Sequence, residues 1–141
     1  MSATVNLIRS AELYPGVPYA YASTVPAGAR LAFLAGACPL DRDGATVAVG
    51  DIAGQAAQCV ENLRVALRDV GASITDVAST RVLVASTDQA DLVTAWRVVR
   101  AAFGEHDVPS TLIGVTVLGY DDQLVEVEAV AVIPEAGAAV R

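Results

Sequence analysis

The stretch that most constrains the fold is segment 124–133, which reads LVEVEAVAVI. Its residues alternate with a period of two, which predicts a β-strand whose side chains point to opposite faces. One face is wholly apolar and comprises Val125, Val127, Ala129, Ala131 and Ile133. The other face mixes carboxylates with apolar side chains and comprises Leu124, Glu126, Glu128, Val130 and Val132. Because a solvent-facing sheet surface is normally polar, we expect a second copy of the chain to cover the mixed face.

The two carboxylates of this strand are the first candidate functional groups. Glu126 and Glu128 would lie at the rim of a subunit interface, where partial burial makes a carboxylate chemically useful. The alternative is that Glu126 only pairs with an arginine or a backbone amide. We expect Glu128 to be structural.

The rest of the chain predicts an alternation of strands and helices. In chain order, the predicted elements are an edge strand at 5–8, a hairpin of 19–25 with 31–34, a helix from Asp51 to Gly71, a strand at 77–85, a helix from Asp88 or Asp91 to Gly104, a strand at 109–118 and the strand at 124–133. The order ββαβαββ predicts an α+β fold with a mixed sheet and both helices on one face. We expect one domain spanning residues 1–141.

The other face of this sheet is expected to stay bare within one chain. Alternation in the strand at 77–85 places Val77, Arg81 and Leu83 on one face, and Ala78 and Thr80 on the other. The bare face is predicted to carry Leu83, Val130 and Val132. Burying these side chains would require further copies of the chain, and cyclic symmetry is the usual arrangement.

Composition narrows the classes of function. Hydrophobic residues make up 54% of the chain and charged residues 18%, yet no apolar run reaches the roughly 20 residues that span a bilayer. The net charge of −7 argues against nucleic acid as a partner. The N-terminus lacks the pattern of a secretion signal, so we expect a cytoplasmic protein. One histidine and two scattered cysteines, Cys38 and Cys59, provide no metal-ligand spacing, and no cofactor motif is visible.

Several motifs, taken in order, resemble the Rid or YjgF-like family of reactive intermediate deaminases, whose members also carry the name L-PSP endoribonuclease. The motifs are Pro18-Tyr19, FLAGACPLD at 33–41, QAAQCVENL at 55–63, Gly71-Ala72-Ser73 with Asp76-Val77, and VEVEAVAV at 125–132. The resemblance implies a chorismate-mutase-like fold of the Bacillus type. It also implies a homotrimer with a central barrel and a small-molecule ligand in clefts between subunits.

The resemblance further implies hydrolysis of an imine or enamine such as 2-iminopropanoate to a keto acid and ammonia. Glu126 matches the glutamate and Tyr19 the tyrosine that position the water in this family. Where the well-described branch has a substrate-binding arginine, this chain has Pro109, followed by Ser110, and Ala35 stands in place of a serine. Proline offers neither charge nor donor, so we expect an altered choice of substrate.

Arg81 is the candidate replacement for that arginine, because branches lacking it often have the sequence T-R-V at this place. Three alternatives remain: Arg81 binds an anionic ligand, pairs with Glu126 or Glu128 across the sheet, or faces solvent. Two functions follow. The chain is either an imine or enamine hydrolase or a non-catalytic, metabolite-binding trimer with a regulatory role.

Overall fold

A computed structural model describes residues 4–135 of the 141-residue chain. The strands are β1 (Asn6–Ile8), β2 (Ala22–Thr24), β3 (Arg30–Phe33), β4 (Val77–Val84), β5 (Ser110–Gly114) and β6 (Val125–Ile133). The helices are α1 (Ile52–Asp69) and α2 (Gln89–Phe103), and one 3-10 turn (Ile74–Asp76) leads into β4. The predicted α+β class and the predicted order of helices and strands are confirmed.

The main sheet has four strands in the order β3-β6-β4-β5. The inner strand β6 pairs antiparallel with both β3 and β4, whereas β4 and β5 are parallel and α2 connects them. A parallel pair needs such a crossover, because a short turn can join only antiparallel neighbours. The mixed sheet predicted from the element order is therefore confirmed. The alternating segment near the C-terminus of the chain forms β6, which lies between two other strands.

The helix ends lie close to the predicted residues: Asp51 caps α1, Asp88 rather than Asp91 caps α2, and Gly71 and Gly104 follow the C-terminal turns. The Asp51 carboxylate accepts a hydrogen bond from the Gly54 amide (3.0 Å), and Asp88 accepts one from the Ala90 amide (2.9 Å). At the other ends, Gly71 and Gly104 have φ of +84° and +59°, values that glycine adopts without steric cost. These residues fix where each helix begins and ends.

Both helices pack on one face of the sheet and enclose the main core. From β6 the core receives Val125, Val127, Ala129 and Ala131, four of the five residues of the predicted apolar face, whereas Ile133 is half-buried outside this core. From the helices it receives Ala56, Cys59, Val60, Leu63, Leu67, Ala95, Val99 and Phe103. Cys59 is completely buried, as a small core residue.

The predicted hairpin of 19–25 with 31–34 is wrong. Strand β2 covers only Ala22–Thr24 and pairs with β1, whereas β3 pairs with β6. The reason is that the backbone of 19–20 bonds elsewhere: the Ala20 amide donates to the Asp107 carbonyl (2.8 Å), and the Tyr19 carbonyl accepts from the Arg9 guanidinium (2.9 Å). Strand β3 is therefore not paired with β2 and pairs antiparallel with the longer strand β6.

The predicted facing of the first residues of β4 is also wrong. The pairing with β6 shifts between Val77 and Ser79, so Ala78 is the extra residue of a β-bulge. Val77 therefore packs in the main core, while Ala78 lies on the opposite face beside Val132. From Ser79 onward the alternation is regular, and Arg81 and Leu83 face away from the helices as predicted.

The face opposite the helices is only partly bare. Val132, predicted to be exposed, is 2% exposed because Val5 from the N-terminal segment and Ala78 cover it. Farther along the same face, Leu31 is 42% and Phe33 76% exposed. The uncovered apolar surface thus lies toward the free edge of β3.

Strand β5 ends at Gly114 rather than at residue 118. Its neighbour β4 ends at Val84, whose carbonyl accepts a hydrogen bond from the Val115 amide (2.8 Å). Beyond this bond, β4 has no further residues with which β5 could pair. Residues beyond this point form an exposed loop, and Val117 in it is 76% exposed. Within residues 4–135, no helix has the length and apolar character needed to cross a membrane.

Candidate functional site

Glu126 occupies the second position of β6 on the face away from the helices, where it is half-buried. Its Oε1 atom accepts hydrogen bonds from Gln123 Nε2 (3.2 Å) and from the Cys38 thiol (Sγ to Oε1, 3.5 Å). The thiol is equally close to the Gly36 carbonyl (3.5 Å), which is a second acceptor within reach of its proton. This carboxylate is therefore oriented by side chains from two different segments.

Segment 34–38 continues the edge of the sheet beyond β3 and runs beside Glu126. The Leu34 amide donates to the Ala129 carbonyl (3.3 Å), and the Ala37 amide donates to the Val127 carbonyl (2.7 Å). Between them, Gly36 lies so close to the Glu126 carboxylate that a Cβ atom at this position would collide with it. A larger residue here would require the carboxylate to move from its present position.

Ala35 and Cys38 of the same segment line a cavity of about 740 Å³ between this edge and α1. Asn62 of α1 shapes the cavity, because its side-chain amide donates to the carbonyls of Cys38 (2.8 Å) and Leu40 (2.9 Å). Tyr120 closes one side. The predicted ligand-binding residue Ala35 thus adjoins a cavity next to the strand that carries Glu126.

The Cys38 thiol serves as a donor at neutral pH and not as a nucleophile. Burial and, secondly, the negative charge of Glu126 raise the pKa of Cys38 to about 11. A thiol with this pKa stays protonated near neutrality, and the thiolate is the reactive form. Within residues 4–135, no group of His, Cys, Asp or Glu is arranged to hold a metal ion.

Tyr19 lies at the opposite edge of the sheet, in a loop whose backbone is held by two arginines. Arg9 donates to the carbonyls of Val17 (3.0 Å) and Tyr19 (2.9 Å), and Arg100 donates to that of Pro18 (3.3 Å). Both guanidinium groups also contact the Asp107 carboxylate, at 2.7 Å and 3.6 Å. We call Arg9, Arg100 and Asp107 the loop clamp.

The Tyr19 ring packs edge-on against Trp96 of α2, with ring centroids 6.3 Å apart. Together with Ser110 and Leu112 of β5, these rings line a cavity of about 430 Å³. The Ser110 hydroxyl is hydrogen-bonded to Thr80 on β4 (2.6 Å). Within the described residues, the Tyr19 hydroxyl has no hydrogen-bond partner.

Pro109 directly precedes β5. Its carbonyl accepts a hydrogen bond from the Thr80 amide (3.0 Å) and so continues the parallel ladder between β4 and β5. Its side chain supplies neither a charge nor a hydrogen-bond donor to the edge where Tyr19 lies.

Arg81 pairs with Glu128 rather than with Glu126. Its Nε atom lies 3.2 Å from Glu128 Oε1, and the two residues face each other across β4 and β6. The arginine side chain is 55% exposed and the glutamate side chain 40%. Both line a shallow cavity of about 270 Å³ with Phe33 on the open face of the sheet. Of the alternatives left open by the sequence, the cross-strand pair is the one present in a single chain.

The residues predicted from the sequence therefore lie in three places. Glu126 and Ala35 lie toward the β3 edge, Tyr19, Pro109 and Ser110 lie at the β5 edge, and Arg81 lies on the face between them. The cavity lined by Tyr19 and the cavity lined by Ala35 have no residue in common. One chain alone does not bring Glu126 and Tyr19 into one cavity.

The sequence reasoning missed Gln123 and Gly36 as neighbours of Glu126. Gln123 precedes the strand in a turn-rich stretch, where a polar residue is expected to face solvent, yet it is only 4% exposed. Gly36 stands within the FLAGACPLD motif, whose residue types do not indicate which side chain Gly36 contacts. No local pattern marks either residue, because each meets Glu126 through tertiary structure.

Fold and site together define a class of small α+β proteins: a four-stranded mixed sheet, two helices on one face, and polar groups gathered at the two free edges of the sheet. A protein-family model described as Endoribonuclease L-PSP matches residues 11–133. The chain belongs to this family, which is the Rid/YjgF family.

Individual relatives agree with this assignment. A RutC family protein of Pyrococcus abyssi is 32% identical over 111 residues, which cover 79% of this chain and 84% of the relative. A RutC family protein of Pyrococcus horikoshii is 33% identical over 111 residues, covering 79% and 85%.

Solved structures show the same fold. YyfB of Yersinia pestis, a protein of unknown function from the conserved Rid family, superposes with a TM-score of 0.84 at 29% identity, covering 92% of this chain and 98% of that one. Rv2704 of Mycobacterium tuberculosis, from the YjgF/YER057c/UK114 family, superposes with a TM-score of 0.61 at 28% identity, covering 92% and 99%.

Proposed function

We propose that this protein hydrolyses the C=N bond of a small imine or enamine in clefts between copies of the chain. The observation that carries the proposal is the half-buried Glu126, whose Oε1 is held by two donors while Oε2 has none within the described residues. A carboxylate oxygen oriented and left free in this way is suited to bind a water molecule and accept its proton.

The clefts arise if one copy places its β5 edge beside the β3 edge of the next. Tyr19 and Ser110 of one copy would then face Glu126 and Ala35 of its neighbour. A homotrimer is supported by the apolar surface on the open face, where Leu31 and Phe33 are exposed. This arrangement completes the site, since Glu126 and Tyr19 do not share a cavity within one chain.

The reaction consumes one water molecule. Glu126 accepts a proton from the water as its oxygen attacks the carbon of the C=N bond, and the nitrogen takes up a proton from solvent to form a neutral carbinolamine. The proton on Glu126 then passes to the amino nitrogen, the hydroxyl group loses its proton to solvent, and collapse of the adduct forms the C=O bond and expels ammonia. The Tyr19 hydroxyl serves as the second group that holds the water, from the opposite side of the cleft.

The substrate of this chain differs, on our proposal, from the 2-oxo-acid imines of the well-described branch. Pro109 offers no charge, and Arg81 is paired with Glu128 at 3.2 Å. Within the described residues, no cationic side chain lines the cavity of Tyr19, whose walls are aromatic, apolar or hydroxylic. These features favour an uncharged substrate over one with a free carboxylate.

The same features support one alternative, a non-catalytic trimer that binds a metabolite and has a regulatory role. Loss of a substrate anchor with retention of the cleft is what such a protein would show. The endoribonuclease named in the family description is a weaker proposal for this chain, because a net charge of −7 opposes the binding of a polyanion.

The test is ammonia release from 2-iminopropanoate and from its uncharged amide analogue, 2-iminopropanamide, each generated in situ. The wild type, Glu126→Gln and Pro109→Arg are compared, with Glu61→Gln as control, because Glu61 is exposed on α1 and pairs only with Arg64. We expect the wild type to accelerate ammonia release from 2-iminopropanamide and Glu126→Gln to lose this acceleration. Pro109→Arg should shift the preference of the protein toward 2-iminopropanoate. Saturable binding without turnover of either imine would favour the alternative.

A further inference from the structure

Gln123 is a buried polar residue whose three hydrogen bonds converge on Glu126 and the turn before it. Its Nε2 donates to the Val125 carbonyl (3.1 Å) and to Glu126 Oε1 (3.2 Å). Its Oε1 accepts from the Tyr120 amide (3.1 Å). A primary amide has two donor hydrogens, and here each has one acceptor.

The two oxygens of Glu126 consequently have different surroundings. Oε1 accepts from Gln123 and Cys38, which fills the two lone pairs of a carboxylate oxygen. Oε2 faces the Cα of Gly36 and accepts no hydrogen bond within residues 4–135. The bonds to Oε1 set the rotation of the carboxylate, and Gly36 provides the space that this rotation requires.

We propose that Gln123 is a positioning residue for Glu126: by occupying Oε1, it leaves Oε2, in the space beside Gly36, as the oxygen that accepts the proton of the attacking water. Cys38 supplies the second, weaker donor to the same oxygen. The inference rests on the proposed hydrolase function. It adds a residue that does not itself touch the substrate.

The turn around Tyr120 becomes part of the site through the same glutamine. Tyr120 is exposed and lines the cavity beside Ala35 and Cys38. Because the Tyr120 amide is bonded to Gln123, a movement of this turn would release Gln123 and with it the orientation of Glu126. The conformation of the turn and the orientation of the carboxylate are therefore coupled.

The main test is Gln123→Met, which keeps the length of the side chain and removes its donors. A lost hydrogen bond to a charged group corresponds to a decrease of about tenfold in kcat, and we expect KM to change less than about twofold. Asp76→Leu is the control: Asp76 is also buried and its carboxylate accepts from the Ser73 amide (2.9 Å), but it lies before β4, outside the turn that carries Gln123. It should lower stability and retain kcat.

A measurement without turnover separates this inference from the proposed function. In ¹⁵N NMR spectra, the side-chain amide protons of Gln123 should exchange slowly in the wild type and faster in Glu126→Ala. Unchanged exchange would overturn the inference, whatever the activity. Faster exchange combined with an inactive wild type would overturn the hydrolase proposal and leave Gln123 as the residue that orients Glu126.

If Gln123→Met does not fold, Cys38 provides the second pair of variants. Cys38→Ala removes a donor to Oε1 and should lower kcat about threefold, whereas Cys38→Ser keeps a donor and should retain most of the rate. Equal rates in Gln123→Met and wild type, or in Cys38→Ala and Cys38→Ser, would show that Oε1 is not held in the way we propose.

Discussion

The two edges of the sheet hold their candidate residues in different ways. At the β3 edge the Glu126 side chain itself is held, by Gln123 and Cys38, in a space that Gly36 leaves open. At the β5 edge the backbone around Tyr19 is held, and the Tyr19 ring only packs against other rings. This difference suggests that the first edge supplies the chemistry and the second adapts to the ligand.

The largest expected effect comes from separating the two edges. Phe33→Asp places a charge on the apolar patch of the open face and should convert the proposed trimer to monomers, with loss of all detectable turnover. Native mass spectrometry and ammonia release measure the two effects. Val117→Asp is the control, because Val117 is equally exposed (76%) but lies in the loop after β5 and not in a strand of the sheet. Full activity in a monomer would contradict the proposal that the site needs the β3 edge of one copy and the β5 edge of another.

The next largest effects are expected from substituting the candidate catalytic residue at each edge. Glu126→Gln should lower kcat about 100-fold, the lower range for loss of a general base. Tyr19→Phe should lower kcat only about tenfold, since a water held by one partner remains reactive. Steady-state kinetics with circular dichroism as a check of folding measures both. Equal losses at the two edges would contradict the division of roles.

Gly36→Ala tests the close approach at the β3 edge. The added methyl group displaces the carboxylate and should lower kcat about tenfold, with a loss of stability below about 1 kcal/mol because the displaced group is the end of a flexible side chain. Gly119→Ala is the matched control, because an added Cβ there has open space within 4 Å and the backbone is not in the left-handed region. Urea unfolding and kinetics measure the difference. Tolerance of alanine at position 36 would mean that the carboxylate is not held there.

Asp107→Asn tests the loop clamp at the β5 edge. The carboxylate is 28% exposed and pairs with two arginines, so we expect a loss of less than about 1 kcal/mol of stability. With a looser Tyr19 loop, KM should rise about fivefold while kcat is retained. A decrease in kcat with constant KM would assign Tyr19 to the chemistry rather than to binding.

The smallest effect is on Cys38 reactivity. Burial and the Glu126 charge raise its pKa to about 11, so alkylation by iodoacetamide should be slow near pH 8 and accelerate only as the pH approaches 11. Glu126→Gln removes the charge but not the burial, and the rate at pH 9 should rise about threefold. A Cys59→Ala background leaves one thiol to follow by mass spectrometry. An unchanged rate would mean that the thiol and the carboxylate are not in contact.

Local sequence determined the parts of the fold that depend on neighbouring residues. The alternation at 124–133 determined a strand with one apolar face, and Asp51, Gly71 and Gly104 marked helix ends, with the second helix start left between Asp88 and Asp91. Glu126 and Tyr19 were identifiable as candidate residues because they stand in motifs that resemble a family. Each of these signals lies within a few residues of the element that it specifies.

Tertiary structure alone decided the pairing of β3, the bulge at Ala78 and the surroundings of Glu126. The hairpin prediction was wrong because the backbone of Tyr19 and Ala20 bonds Arg9 and Asp107, and Asp107 lies far along the chain. Gln123 and Gly36 became visible as partners of Glu126 only when the turn and the edge segment met at β6. The physical reason is that hydrogen-bond partners and packing space are shared between distant segments, whereas a sequence pattern records only the preferences of its own stretch.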